Sequence, residues 1–211
     1  IAAAATDPVV FRSALAVTEA HIRAARDAYA EGQQRAAGEM FAHPVSEVLF
    51  DMEPVFQQLG VTPFDDMLLD ASASAINGDS VEDVSAKADA IIAKLHEVSE
   101  SAPQNGDSAG VVAAGVVSDQ IERAAQQYRL AMASDNYEPY LDGYGFYQTA
   151  QALFDSSKGE IAGESQAASD AMASVLADLA SAYPTAARPE SLDADVSALT
   201  AGSSRVILEL P

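Results

Sequence analysis

The chain has 211 residues, 49% of them hydrophobic and 20% charged, enough apolar material to bury roughly 70% of its unfolded surface. It contains no cysteine, which excludes disulfides, thiol catalysis, Cys-ligated zinc and iron–sulfur clusters. Eleven Lys+Arg against 32 Asp+Glu leave a formal charge of −21, which a nucleic-acid backbone or an anionic membrane surface would repel.

The chain opens Ile1-Ala2-Ala3-Ala4-Ala5 without an initiator Met. Either signal-peptidase cleavage or a trimmed terminus gives that pattern, and the expectation drawn from it is an exported, periplasmic protein. No apolar run reaches the ~18 residues that a transmembrane helix needs. Asp7-Pro8 predicts an N-cap followed by a first-turn proline. The stripe Phe11, Leu15, Ile22 and Tyr29 then defines a first helix ending near Gly32. A second helical stretch runs from about Gln34 to Leu59, with Phe41, Val48, Met52, Val55 and Leu59 inward and Gly60 as its stop. Pro44 and Pro54 lie inside it and predict a kink or break near His43.

Thr62-Pro63 with Asp65 and Asp66 starts a third helix ending at Asn77-Gly78, and Ser80 caps a fourth with Val84, Ile91, Leu95 and Val98 inward. On that helix His96 falls off the apolar face and is expected in solvent. Residues 99–110, rich in Ser, Pro, Asn, Gly and Asp, read as a linker. Further helices are expected over about Val111–Met132, Glu138–Phe154 and Ile161–Tyr183, the last stopped by Pro184. A short helix near Leu192–Leu199 and a tail through Arg205–Leu208 complete the chain. No stretch alternates with period two, so the fold class is all-α, an up-down helical bundle.

An internal repeat relates the two ends of the sequence. His21-Ile22-Arg23-Ala24-Ala25 and Tyr29 align with Gln120-Ile121-Glu122-Arg123-Ala124 and Tyr128 at a spacing of 99, and Val55-Phe56 aligns with Leu153-Phe154 at 98. The expectation is a single domain over 1–211, made of two duplicated helical-hairpin halves (1–98 and 111–211) joined by the linker 99–110. Similarity between alanine-rich helices by chance is the competing explanation.

Two of the three histidines have a geometric relation. His21 and His43 stand at nearly equal distances from the turn near residues 32–33. In an antiparallel hairpin they are therefore level within about one helical turn. His43, Glu47 and Asp51 follow at i, i+4, i+8 and project an imidazole and two carboxylates from one side, with Met40 one turn earlier on the same stripe. Such donors suit iron, copper or zinc, and the small residues facing them leave room for haem. The alternative is a histidine and a first-turn carboxylate serving only the local helix.

Tyr137, Tyr140, Tyr144 and Tyr147 form a second stripe. It reads as a packing face, as phenolate ligands, or as an aromatic surface for a partner protein. Gly143 and Gly145 within it predict close backbone approach. Asp142 falls at His43's place in the repeat. No phosphate-binding loop, nucleophile elbow or nucleophile–base pair is present, so no catalytic role is expected.

The run Phe41-Ala42-His43-Pro44-Val45-Ser46-Glu47 resembles the His/Glu motif region of imelysin-like periplasmic helical proteins. Tyr140-Leu141-Asp142-Gly143-Tyr144-Gly145-Phe146 is similar to a Tyr-x-Asp-x-x-Gly-Phe pattern in the periplasmic helical extension of bacterial iron permeases. The resemblance implies an exported duplicated helical bundle tied to iron, with His43, Glu47 and Asp142 associated with metal. Phe41 replaces the glycine of the Gly-x-His-x-x-Glu pattern and Glu47 follows His43 by four positions, so peptidase activity is not carried over. The expected function is exported metal or haem binding linked to iron handling. The alternative is a non-catalytic adaptor on a membrane protein or a c-type cytochrome, with a basic partner drawn by the acidic surface. Acidity suited to a saline habitat would need no partner.

Overall fold

The computed structural model describes residues 2–211. Among them every regular element is helical, there is no strand, and no helix is long and apolar enough to cross a membrane. The chain divides into two compact units, 1–105 and 106–211, with the division inside the Ser/Pro/Asn/Gly-rich segment.

In the first unit a short 3-10 helix, Ala2–Ala5, precedes α1 (Pro8–Ala30). The Asp7 carboxylate accepts from the Val9 and Val10 amides and so caps the first turn of α1. α2 (Gln34–Pro44) passes through one π-helical turn, Val45–Leu49, directly into α3 (Phe50–Leu59). Pro44 has no N–H to donate back to the carbonyl one turn earlier. The rod stays continuous by widening, and the Phe50 amide donates to the Val45 carbonyl five residues back. The break expected near His43 is thus a π-turn. Gly60, at φ 71°, ends α3 in a conformation that glycine adopts without strain. α4 (Asp65–Asn77) ends likewise at Gly78, and α5 (Val81–Ser99) is capped by Ser80. α1 packs on α2, α2 on α4, α4 on α5, and α5 returns to α1. The ring closes over Phe11, Ile22, Phe41, Met52, Leu68, Ile91 and Leu95, all fully buried.

The second unit repeats this circuit. α6 (Ala109–Met132), capped by Ser108, packs on α7 (Glu138–Glu164), α7 on α8 (Gln166–Ala182), α8 on α9 (Val196–Glu209), and α9 on α6. Its core is built on Ile121, Tyr128, Tyr140, Leu141 and Tyr183. Two boundaries differ from the expected ones. α7 continues ten residues past Phe154, because Phe154 and Ile161, seven apart and both buried, keep one face inward across the polar Ser156-Ser157-Lys158 run. The final helix starts at Val196, where Asp195 caps it, and takes in the expected tail, burying Leu199, Ser203 and Val206.

Candidate metal centre

His21 sits mid-way along α1, its side chain only 6% exposed. Its Nδ1 lies 2.8 Å from the Val17 carbonyl of the preceding turn. A carbonyl can only accept, so Nδ1 donates and Nε2 is the nitrogen turned toward Glu47. A metal-ligating imidazole is commonly oriented in this way, by a backbone carbonyl on its far nitrogen. Nε2 lies 3.8 Å from a carboxylate oxygen of Glu47. Half-buried His43 lies in the last turn of α2, its ring centroid 6.2 Å from that of His21 and turned by 70°. One donor atom from each of His21, His43 and Glu47 lies within 4.8 Å of the other two. Donors bound to a first-row ion at ~2.0–2.1 Å stand about 3–4 Å apart. Closure therefore requires the longest separation to shorten by about 1–2 Å, and Glu47, with a side chain 55% exposed, has room to follow.

The third donor lies in the widened turn. Glu47 lies inside Val45–Leu49, one turn beyond His43, and comes back to the same side of the rod. Asp51 does not join them. Eight residues of helix advance it about 12 Å past His43, beyond the reach of a carboxylate, and it is exposed on α3. Met40 is buried in the core of the first unit, 2% exposed.

Asp142 lies in the second unit, where the Gln127 amide donates to it at 3.4 Å. The spacing of 99 fails beyond the hairpin turn, because residues 133–137 separate α6 from α7 whereas only 31–33 separate α1 from α2. His21's counterpart, Gln120, therefore lies about two turns from Asp142 along the hairpin.

The tyrosine stripe faces inward for half its length, and this corrects its reading as an aromatic surface. Tyr140 and Tyr144 are buried and cannot meet a partner. The Tyr140 and Tyr137 hydroxyls donate to the Thr185 and Ala186 carbonyls at 2.9 and 2.8 Å, holding the segment after α8 against α7. Tyr147 stacks on Tyr183 at 6.3 Å, and burial, helped by the nearby Asp155 charge, raises its phenol above the usual value.

One charged group escaped the sequence reading. Glu19 is buried, with one oxygen receiving Arg23 Nε and Nη2 at 2.7 and 2.6 Å and the other 3.0 Å from His96 Nε2. Burial alone would raise the carboxyl, but the His96 and Arg23 bonds and charges together hold it below its usual value. The bond to Glu19 raises His96, against a smaller effect of burial. His96, expected in solvent, is half exposed and spans from α5 to α1. The signal was present in α1: Glu19 stands between Leu15 and Ile22, inside the apolar stripe. Among known proteins, no family model, no curated protein and no solved structure matches the chain.

Proposed function

We propose that the protein binds one first-row transition-metal ion, iron, copper or zinc, through His21 Nε2, His43 and Glu47. The observation that carries this reading is the convergence of these three donors within 4.8 Å, with the far nitrogen of His21 held by the Val17 carbonyl. Two imidazoles and one carboxylate suit a borderline divalent ion and leave coordination positions for an outside ligand. An ion is preferred over haem, because a carboxylate donor stands with the two imidazoles, its oxygen 3.8 Å from His21 Nε2. Iron handling in an exported compartment is the context that the imelysin-like and permease-like motifs add.

All three histidines lie in the first unit, so binding is confined to it. The two units read as copies of one hairpin-based precursor. Their matching circuits of helix contacts and the Ile22/Ile121 and Tyr29/Tyr128 pairs support that duplication. With a neutral Gln120 at His21's place, only one copy keeps an imidazole there.

Metal analysis of native protein, followed by titration of the chelator-stripped protein with iron(II), copper(II) and zinc, tests the reading. The expected outcome is one ion per chain, with at least tenfold weaker binding in His21→Ala and His43→Ala and unchanged binding in His96→Ala. Absence of stoichiometric metal after reconstitution overturns it, as does equal affinity in the histidine variants.

A further inference from the structure

Beside the π-turn, on the α3–α4 side of the first unit, lies a groove of about 270 Å³. Its floor is aromatic: the Phe56 and Phe64 rings are 6.0 Å apart, and Phe56 meets Phe11 of α1 edge-on at 6.2 Å. Leu49 and Phe50 rise from the exit of the π-turn as a wall, and Phe50 stands 70% exposed. Glu53 and Asp65 bring acid to the lining. An aromatic ring left in water above an apolar floor and between carboxylates is the composition of a docking surface with a charged rim.

The charge around it is one-sided. Residues 36–86 contain ten Asp+Glu and no Lys or Arg. The whole first unit has six Lys+Arg against 17 Asp+Glu, a net −11, and the stretch from α2 into the first turn of α5 holds ten of those acids with Arg35 at its start as the only cation. A second copy of this chain would bring −21 against −21, and an anionic lipid surface would be repelled in the same way. A cationic partner is attracted, and 270 Å³ accommodates one or two side chains.

We propose that this groove docks a basic, apolar-anchored segment of a partner protein. One or two aliphatic or aromatic side chains rest on Phe56 and Phe64 against Phe50, while flanking Lys or Arg pair with Glu53 and Asp65. No residue of the groove is a ligand of the proposed metal centre, so the docking surface stands whether or not that centre binds metal.

Panning a random dodecapeptide display library on the intact protein tests it. The enriched peptides are expected to carry Lys or Arg around Leu, Phe or Trp. The best of them, synthesised and labelled, is expected to bind at least tenfold more weakly to Phe50→Ser and to Glu53→Lys, and more weakly as salt rises. Gln57→Trp, which fills the groove from an exposed rim position, blocks binding by a different route and guards against loss of folding in the other variants. Four results overturn the proposal: no enrichment, enriched peptides without basic residues, equal binding to all three variants, or undiminished binding after the peptide's apolar residues are changed to Ser. A dimer of the parent protein that Phe50→Ser dissociates would assign the groove to a second copy and overturn it too.

Discussion

The Tyr183 hydroxyl reaches the Ala124 carbonyl of α6 at 2.8 Å by passing over Gly143 of α7. Tyr128 and Tyr140 pack around the same ring, with centroids 5.4 and 5.3 Å away, and Tyr183 is 1% exposed. A Cβ at Gly143 would overlap the hydroxyl, and the ring cannot yield without losing the bond to Ala124. Gly143→Ala is therefore expected to destabilise the second unit by about 1–3 kcal/mol. Gly159 of the same helix has nothing within 4 Å of that position, and Gly159→Ala is expected to stabilise by about 0.5–1 kcal/mol through reduced backbone freedom in the unfolded chain. Urea unfolding of the two variants reads both signs, and equal shifts would show that Tyr183 is not held as described. The sequence signalled close approach at Gly143 but not its cause, since Tyr183 arrives from forty residues further along the chain. A glycine registers that space is needed and carries no information about what fills it.

Between elements, the Glu19–His96 contact ties α1 to α5 and gives that packing a pH dependence of definite sign. His96 is raised from 6.5 in the folded protein, so its contribution is fully present below pH 6.5 and is lost as pH rises through the raised value. Glu19 is lowered from 4.5, so its contribution is present above pH 4.5 and is lost as pH falls through the lowered value. Stability from this pair is expected to be greatest between about pH 4.5 and 6.5, and His96→Gln is expected to flatten the decline on the alkaline side. Melting temperatures across pH 4–9 for parent and variant check this, and an unchanged alkaline limb would remove His96 from the account. The legibility of the elements follows a physical line. Helix starts capped by Asp7, Ser80 and Ser108, and stops at Gly60 and Gly78, are local chemistry, and the sequence located them within about two residues. The level pairing of His21 with His43 was also legible, since a three-residue turn leaves an antiparallel hairpin little choice of register. Continuation of α7 past Phe154 and growth of α9 toward Glu209 depend on which face neighbouring helices cover. That is tertiary information, which overrides a local run of serines. The π-turn lies between these cases: Pro44 announced a disturbance, but widening rather than breakage follows from buried Val48, Leu49 and Met52 continuing the core face beyond it.

For the whole molecule, the −21 charge is shared nearly evenly, −11 on the first unit and −10 on the second, so each unit folds against its own repulsion. The ion pairs that oppose it are few and mostly at the surface, such as Arg35 with Glu39 and Lys94 with Glu97, and exposed pairs of this kind contribute little. Salt screens repulsion and pairing alike, but the many unpaired carboxylates outweigh the pairs, and unfolding is what lets them separate. Added NaCl is therefore expected to raise the melting temperature by at least about 4 °C, equivalent to about 1 kcal/mol for a unit of roughly 100 residues. The form of the curve identifies the cause. Screening shortens the Debye length from ~30 Å at ~0.01 M to ~10 Å at ~0.1 M, so most of the gain falls in that interval. A gain that appears only toward ~1 M salt would belong to general exclusion of salt from the protein surface. A melting temperature that falls with salt would mean that the ion pairs, Glu19 with Arg23 and His96 among them, outweigh the net charge. The same field draws divalent cations toward the α2–α4 side, so affinity at the proposed metal centre is expected to weaken over the same salt interval in which the fold gains stability.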